Sequence, residues 1–193
     1  MHQQPKLFML LLGSKPEGRH TEQHDIFFTI GLRLSDVIPA MIEFWKEAKG
    51  DIHVDAWREV TNVDGYKIEI VHNDHELAVA EGKLNLLYFI NPGGYKQNEF
   101  EEFHYKMIAV APEKGDAIRQ SKQTAFYKHT GFRGATSHVD DKYGIDVDDV
   151  YAIEDILPLE IKKKYRIQIS QNDSSEEDEL HMGYFNLEKL RAL

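Results

Sequence analysis

At 193 residues, with 41% hydrophobic and 29% charged side chains, the chain is long enough to bury a substantial core and has the make-up of a folded globular protein. A formal charge of −10 without a long basic block argues against nucleic acid and anionic lipid as partners, because clustered Lys and Arg hold both. The absence of cysteine excludes disulfides, thiolate nucleophiles and Cys-ligated zinc.

The first apolar run, Leu7 to Leu12, is too short for a signal-peptide core or a membrane span and reads as a buried strand. With no export signal, the expected location is the cytoplasm. The turn-rich "GSKPEGRH", Gly13 to His20, follows a strand as a phosphate loop does. Arg19-His20 stands where Lys and Ser or Thr are needed, and the next segment is strand-like, so no nucleotide cofactor is expected. Lys15 and Arg19 are candidate ligands for a small anion, the alternative being a plain tight turn.

"HDIFFTIG" suits a second strand. Val37, Met41, Trp45 and Ala48 then recur at helical spacing, with Ser35 or Asp36 as a cap and Pro39 in the first turn. A third strand starts at "HVDAWREV", His53 to Val60. Asp64-Gly65 is a hairpin signal leading into the strand "YKIEIV", Tyr66 to Val71.

The same order then returns. Lys83-Leu84 matches Lys6-Leu7, Glu102 and His104 match Glu22 and His24, and "HVDDKYGIDVDDVYAI" from His138 matches "HVDAWREVTNVDGYKI" from His53. The offset grows from 77 to 80 to 85 residues, as a few insertions would make it. The second copy brings the strands "NLLYFI" and "HYKMIAVA", a helix over Glu113 to His129 and a third strand at His138. A short helix in "VYAIEDILP", the strand "YRIQIS" and a closing strand and turn or helix in "LHMGYFNLEKLRAL" complete it.

An internal duplication explains these matches with the fewest assumptions. The expected fold is α+β: two β-β-α-β-β-like units with mostly antiparallel sheets, each with a packed helix, related by a pseudo-two-fold. Residues 1–80 form the first repeat and 81–193 the second, packed as one globular unit.

Residues two apart on a strand share a face, so Glu22 with His24 and His53 with Asp55 form same-face pairs, as do Glu102 with His104 and His138 with Asp140. Two imidazoles and two carboxylates gathered in one half suit proton transfer or a divalent metal, with Tyr66 or Tyr151 as a proton donor. The plainer alternative is a set of duplicated hydrogen bonds that fix loops. The acidic stretch Asp140 to Asp155 lacks the glycine and terminal glutamate of a calcium loop, and no nucleophile elbow is readable.

Five stretches, "GSKPEGRHTEQHDIFF", "IHVDAWREVTNVDGYKI", "LYFINPGGYKQNEFEEFHYKM", "KQTAFYKHTGFRGATSHVDDKYGIDVDDVYAIEDILP" and "LHMGYFNLEKL", together resemble the bacterial family DUF1543, a domain of unknown function. Members carry one or two copies of the domain, so the resemblance implies a two-copy member in a bacterial cytoplasm. It implies no substrate, cofactor or catalytic residue.

The leading expectation is a cytosolic module that binds a small ligand or protein partner. The alternatives are a divalent-metal or acid–base enzyme using the repeated Glu-x-His and His-x-Asp pairs, and a structural role through homo-oligomerisation. Whether the protein is an enzyme is left open.

Overall fold

The computed structural model describes residues 4–73, 84–95, 100–129, 147–172 and 176–192. His138 and Asp140, and with them the third strand expected there, lie outside these residues. The chain folds as α+β, in two compact units: Met1–Leu77 with Leu157–Leu193, and Ala78–Ile156. The first seam lies near the expected boundary at 80, but the second is new: residues 157–193 complete the first unit.

In the first unit, β1 (Lys6–Ser14) is flanked by β2 (Gln23–Gly31) and β3 (His53–Glu59), all antiparallel. β1 buries Phe8, Leu10 and Leu12 on one face with Phe27 and Val54, against Leu34, Val37, Ile38 and Met41 from the helical segment. That segment is shorter than its spacing implies: a 3-10 turn (Leu34–Val37), α1 (Ile38–Phe44) and a second 3-10 turn (Lys46–Ala48). Pro39 occupies the first turn as expected, whereas Asp36 accepts the backbone N–H of Arg33 at 3.1 Å from inside the first turn and is not itself the N-cap. β4 (Asn62–Val63) and β5 (Tyr66–His72) are joined through Asp64 (φ 53°) and Gly65 (φ 78°), the left-handed pair of a two-residue hairpin turn.

The C-terminal segment enters this unit through α4 (Leu159–Lys164), β10 (Tyr165–Gln171), β11 (His181–Asn186) and α5 (Leu187–Arg191). β10 pairs with β5 over its full length and sets Ile167 opposite Ile70 and Ile169 opposite Ile68, apolar cross-strand pairs that fix the register. β11 pairs with β3, giving the order β11-β3-β1-β2. Asn186 caps α5 by accepting from the Lys189 N–H at 2.9 Å, and Leu190 is fully buried in the core.

In the second unit, β6 (Leu86–Tyr95) pairs with β7 (Glu102–His104), β8 (Met107–Ala111) and β9 (Val147–Ala152). The expected continuous strand at "HYKMIAVA" is split where Tyr105 N–H turns to the Pro92 carbonyl at 2.9 Å. α2 (Lys114–His129) lies on this sheet and α3 (Ile153–Ile156) follows β9. The core here is built on small side chains: Ala109, Ala111 and Ala117 beside Tyr88, Ile90 and Val150. Among the described residues no helix is long and apolar enough to cross a membrane.

The two sheets share their registers. Gly13 lies opposite His24, and Gly93 lies opposite His104, each partner 80 residues on. The β1–β3 pairing slips between Leu11 and Leu12, and the β6–β9 pairing slips between Asn91 and Pro92, again 80 residues on. The strand that holds the place of β3 is therefore β9, with Val147 in the position of Val54, not the segment that begins at His138.

Candidate functional site

The site grows from one glycine. Gly13 lies opposite His24 on β2 and opposite His53 on β3, so the three form one row across three strands, and side chains directly opposite in an antiparallel sheet share a face. With no side chain at the middle of the row, the two imidazoles have room above the strand. A Cβ on Gly13 would stand 2.3 Å from His53 Nε2 and 2.8 Å from Asp55 Oδ2, both sub-contact distances.

The slip in β3 supplies the next element. Leu12 pairs with Val54 and Leu11 with Ala56, so Asp55 is the extra residue of a β-bulge, a device that bends a strand and re-aims a side chain. Its carboxylate reaches both imidazoles: Oδ1 is 3.4 Å from His53 Nε2 and Oδ2 is 3.1 Å from His24 Nε2. Glu22, one residue ahead of β2, completes the ring at 3.0 Å from His53 Nε2 and 3.8 Å from His24 Nε2. The four residues expected from the strand arithmetic of the first repeat are thus brought together.

Burial divides this quartet. The His53 side chain is 8% exposed and carries the ring of Tyr184 from β11 at 4.4 Å, whereas His24 and Glu22 are 42% and 46% exposed and Asp55 is intermediate. Asp55 Oδ2 is itself buried and, despite its closeness to His24, has no hydrogen-bond partner among the described residues. That is costly for a carboxylate oxygen unless something else meets it. The resulting cluster, here called the cup, has Gly13 beneath it, His53 and Asp55 on its more buried side and His24 and Glu22 on its exposed rim.

The other expected residues are placed elsewhere. Tyr66 begins β5 in the β10-β5-β4 sheet, and Tyr151 lies on β9, where its hydroxyl donates to Asp149 Oδ1 at 3.2 Å; the two tyrosines occupy unlike strands. Glu102 and His104 lie on β7 opposite Tyr95 and Gly93, and His104 is exposed. Lys15 and Arg19 are exposed beside a turn closed by Arg19 N–H to the Pro16 carbonyl at 3.2 Å with Gly18 at φ 84°, which is the tight turn that was the alternative to an anion loop.

Sequence reasoning missed Gly13, Tyr184 and the bulge. In the second unit the bulged position is Asp148, the residue skipped between Val147 and Asp149. The signal was available: "IHVDAW", Ile52 to Trp57, aligns without a gap on "IDVDDV", Ile145 to Val150, but the full His-Val-Asp match at 138 was the more conspicuous. A further buried ionisable group, Arg58 on β3, is held below its ordinary range by burial, with Asp178 and Glu177 acting in the opposite sense.

Comparison with known proteins gives a family match over part of the chain and a fold. Residues 19–70 match the family model described as Domain of Unknown Function (DUF1543), a window that contains all four members of the quartet. The chain is similar to the crystal structure of protein Il1583 from Idiomarina loihiensis, with a TM-score of 0.62 and 20% identity over 95% of this chain and 98% of that one. No curated protein matches the sequence.

Proposed function

Residues 19–70 belong to the DUF1543 family, and on that premise we propose that the chain is a small-ligand-binding module whose site is the imidazole–carboxylate cup of the first unit. The row His24–Gly13–His53 carries this reading. Two strands set imidazoles on either side of a glycine whose Cβ position is taken by the His53 ring and the Asp55 carboxylate, so the absent side chain is what lets two imidazoles and a bulged carboxylate gather at one point. The matching registers of the second unit support a duplicated, two-copy origin, with the copies differing at the site itself.

The test is thermal unfolding against a panel of small cationic and polar ligands. A ligand present at about 100 times its Kd adds about 2.7 kcal/mol, and each kcal/mol raises the midpoint of a chain this size by roughly 2–4 °C. The shift should vanish in Gly13→Ala. A panel that leaves the midpoint unmoved, or moves it equally in Gly13→Ala, defeats the reading.

A second reading, acid–base catalysis, is favoured by one contact. His24 is half-exposed with Nε2 3.1 Å from the Asp55 carboxylate, a His–carboxylate pair open on one side. It predicts turnover of a bound ligand that His24→Gln removes while binding persists.

A further inference from the structure

We propose that the cup is a mononuclear site for a divalent transition-metal ion, ligated by His24 Nε2, His53 Nε2 and one oxygen each of Glu22 and Asp55. The proposal rests on the reading of the cup as a binding site and names its ligand.

The spacing of the donors is the first argument. Each carboxylate presents one oxygen to each imidazole: Glu22 Oε1 stands 3.0 Å from His53 Nε2 and Oε2 3.8 Å from His24 Nε2, while Asp55 Oδ1 stands 3.4 Å from His53 Nε2 and Oδ2 3.1 Å from His24 Nε2. An ion that holds N and O ligands tetrahedrally at about 2.0–2.2 Å separates them by about 3.3–3.6 Å. The nitrogen–oxygen contacts lie close to that range, so a turn of each carboxylate would bring one of its oxygens to the ion.

Direction is the second argument. Two groups 3.1 Å apart normally share a proton in line, yet Asp55 Oδ2 has no hydrogen-bond partner, so it and His24 Nε2 approach side by side. The buried Oδ2 is thereby left with its lone pairs free for a third atom. Charge is the third. Glu22 and Asp55 form no ion pair with Lys or Arg among the described residues, so a divalent cation would balance the two carboxylates, and a neutral imidazole is the form that ligates it.

In the described conformation no three of these side chains are yet arranged to hold a metal ion. Closure falls to the rim. His53 is held by burial and by Tyr184, and Asp55 by its bulge, whereas His24 and Glu22 are nearly half exposed and can turn inward about their side-chain bonds. The ion therefore meets His53 and Asp55 first and draws the rim closed. An N₂O₂ donor set in this arrangement favours Zn²⁺, with Co²⁺ and Ni²⁺ as analogues, over Mg²⁺ or Ca²⁺, which take oxygen ligands.

The full-length chain, stripped with chelator, should be equilibrated with Zn²⁺ and with Co²⁺ and its bound metal measured. The expected result is one ion per chain, with a visible Co²⁺ spectrum of low-coordinate nitrogen and oxygen ligation. His24→Gln, at an exposed position that leaves the core intact, and Gly13→Ala should each weaken binding more than tenfold, about 1.4 kcal/mol. His104→Gln in the second unit should bind as the parent does. Absence of stoichiometric metal, or metal whose affinity and spectrum are unchanged by His24→Gln and Gly13→Ala, overturns the proposal. If the chelated protein instead binds a metal-free ligand that Gly13→Ala abolishes, the metal assignment fails and the cup stands as a binding site; if neither binds, both fall.

Discussion

The central strands β1 and β6 run through the same registers and yet stand beside different side chains. Each sets a glycine opposite a histidine and slips at the same point, where an aspartate is the extra residue: Asp55 in one, Asp148 in the other. Aligned on that slip, the sequence reads Ile-His-Val-Asp-Ala in the first unit and Ile-Asp-Val-Asp-Asp in the second. Beside the bulged aspartate the sequence thus has His53 in the first unit and Asp146 in the second. The cores differ in the same way: Phe, Leu, Met and Ile fill the first, while alanines bring α2 onto the second sheet. The backbone plan and the choice of side chains on it are separable, and a site belongs to the second.

The strongest challenge to this contrast is a pair of histidine deletions. His53→Ala empties a buried position beneath Tyr184 and should cost about 2–3 kcal/mol, at the low end for removal of a large buried side chain. His104→Ala, at an exposed position, should stay within about 0.5 kcal/mol. Denaturant midpoints of the two variants decide the matter, and equal losses would mean that both units use their histidines alike.

A smaller effect tests the dependence of the first unit on the C-terminal segment. Asp178 accepts the backbone N–H groups of Thr61 and Asn62 at 3.1 and 3.2 Å, tying that segment to the turn between β3 and β4. Asp178→Ala should cost about 1–2 kcal/mol, the loss of charged-acceptor bonds to backbone donors. The protection of those two amides from hydrogen exchange reports it directly.

The smallest effect sharpens the second unit and shows itself only in alkali. Burial pushes the phenol of Tyr88 up, with Asp155 and Glu113 acting in the same direction. An unfolded tyrosine loses its proton near pH of about 10 while folded Tyr88 keeps it, so above that pH the unfolded chain binds fewer protons and stability falls as pH rises. Tyr88→Phe should flatten this alkaline decline and leave stability below about pH 9 nearly unchanged. An unaltered pH profile would place the decline in another group.

The local rules of the chain carried most of the elements. Alternation and turn chemistry marked β1, β2, β5 and β10, the Asp64-Gly65 hairpin and α2, and the two-residue spacing of Glu22 with His24 and His53 with Asp55 gathered the quartet. Long-range pairing was not legible. Nothing local to "YRIQIS" says that its isoleucines meet Ile68 and Ile70, about a hundred residues earlier, rather than a strand of their own half. The bulge was hidden for a related reason: a one-residue slip leaves composition and period intact and shows only once a partner strand is known. Gly13 looked like turn punctuation because its value lies in what it omits.

The return of β10 and β11 to the first unit bears on how the chain is made. A ribosome releases β1 to β5 first, then the whole of Ala78–Ile156, and only afterwards the strands that complete the sheets of the opening segment. The edges of β3 and β5 must wait until β10 and β11 have emerged, whereas the second unit is contiguous and can close as soon as it emerges. The inserted unit is thereby the earlier of the two to mature, and the histidine cup, although encoded in the first sixty residues, acquires the ring of Tyr184 only after the whole of the inserted unit has been made.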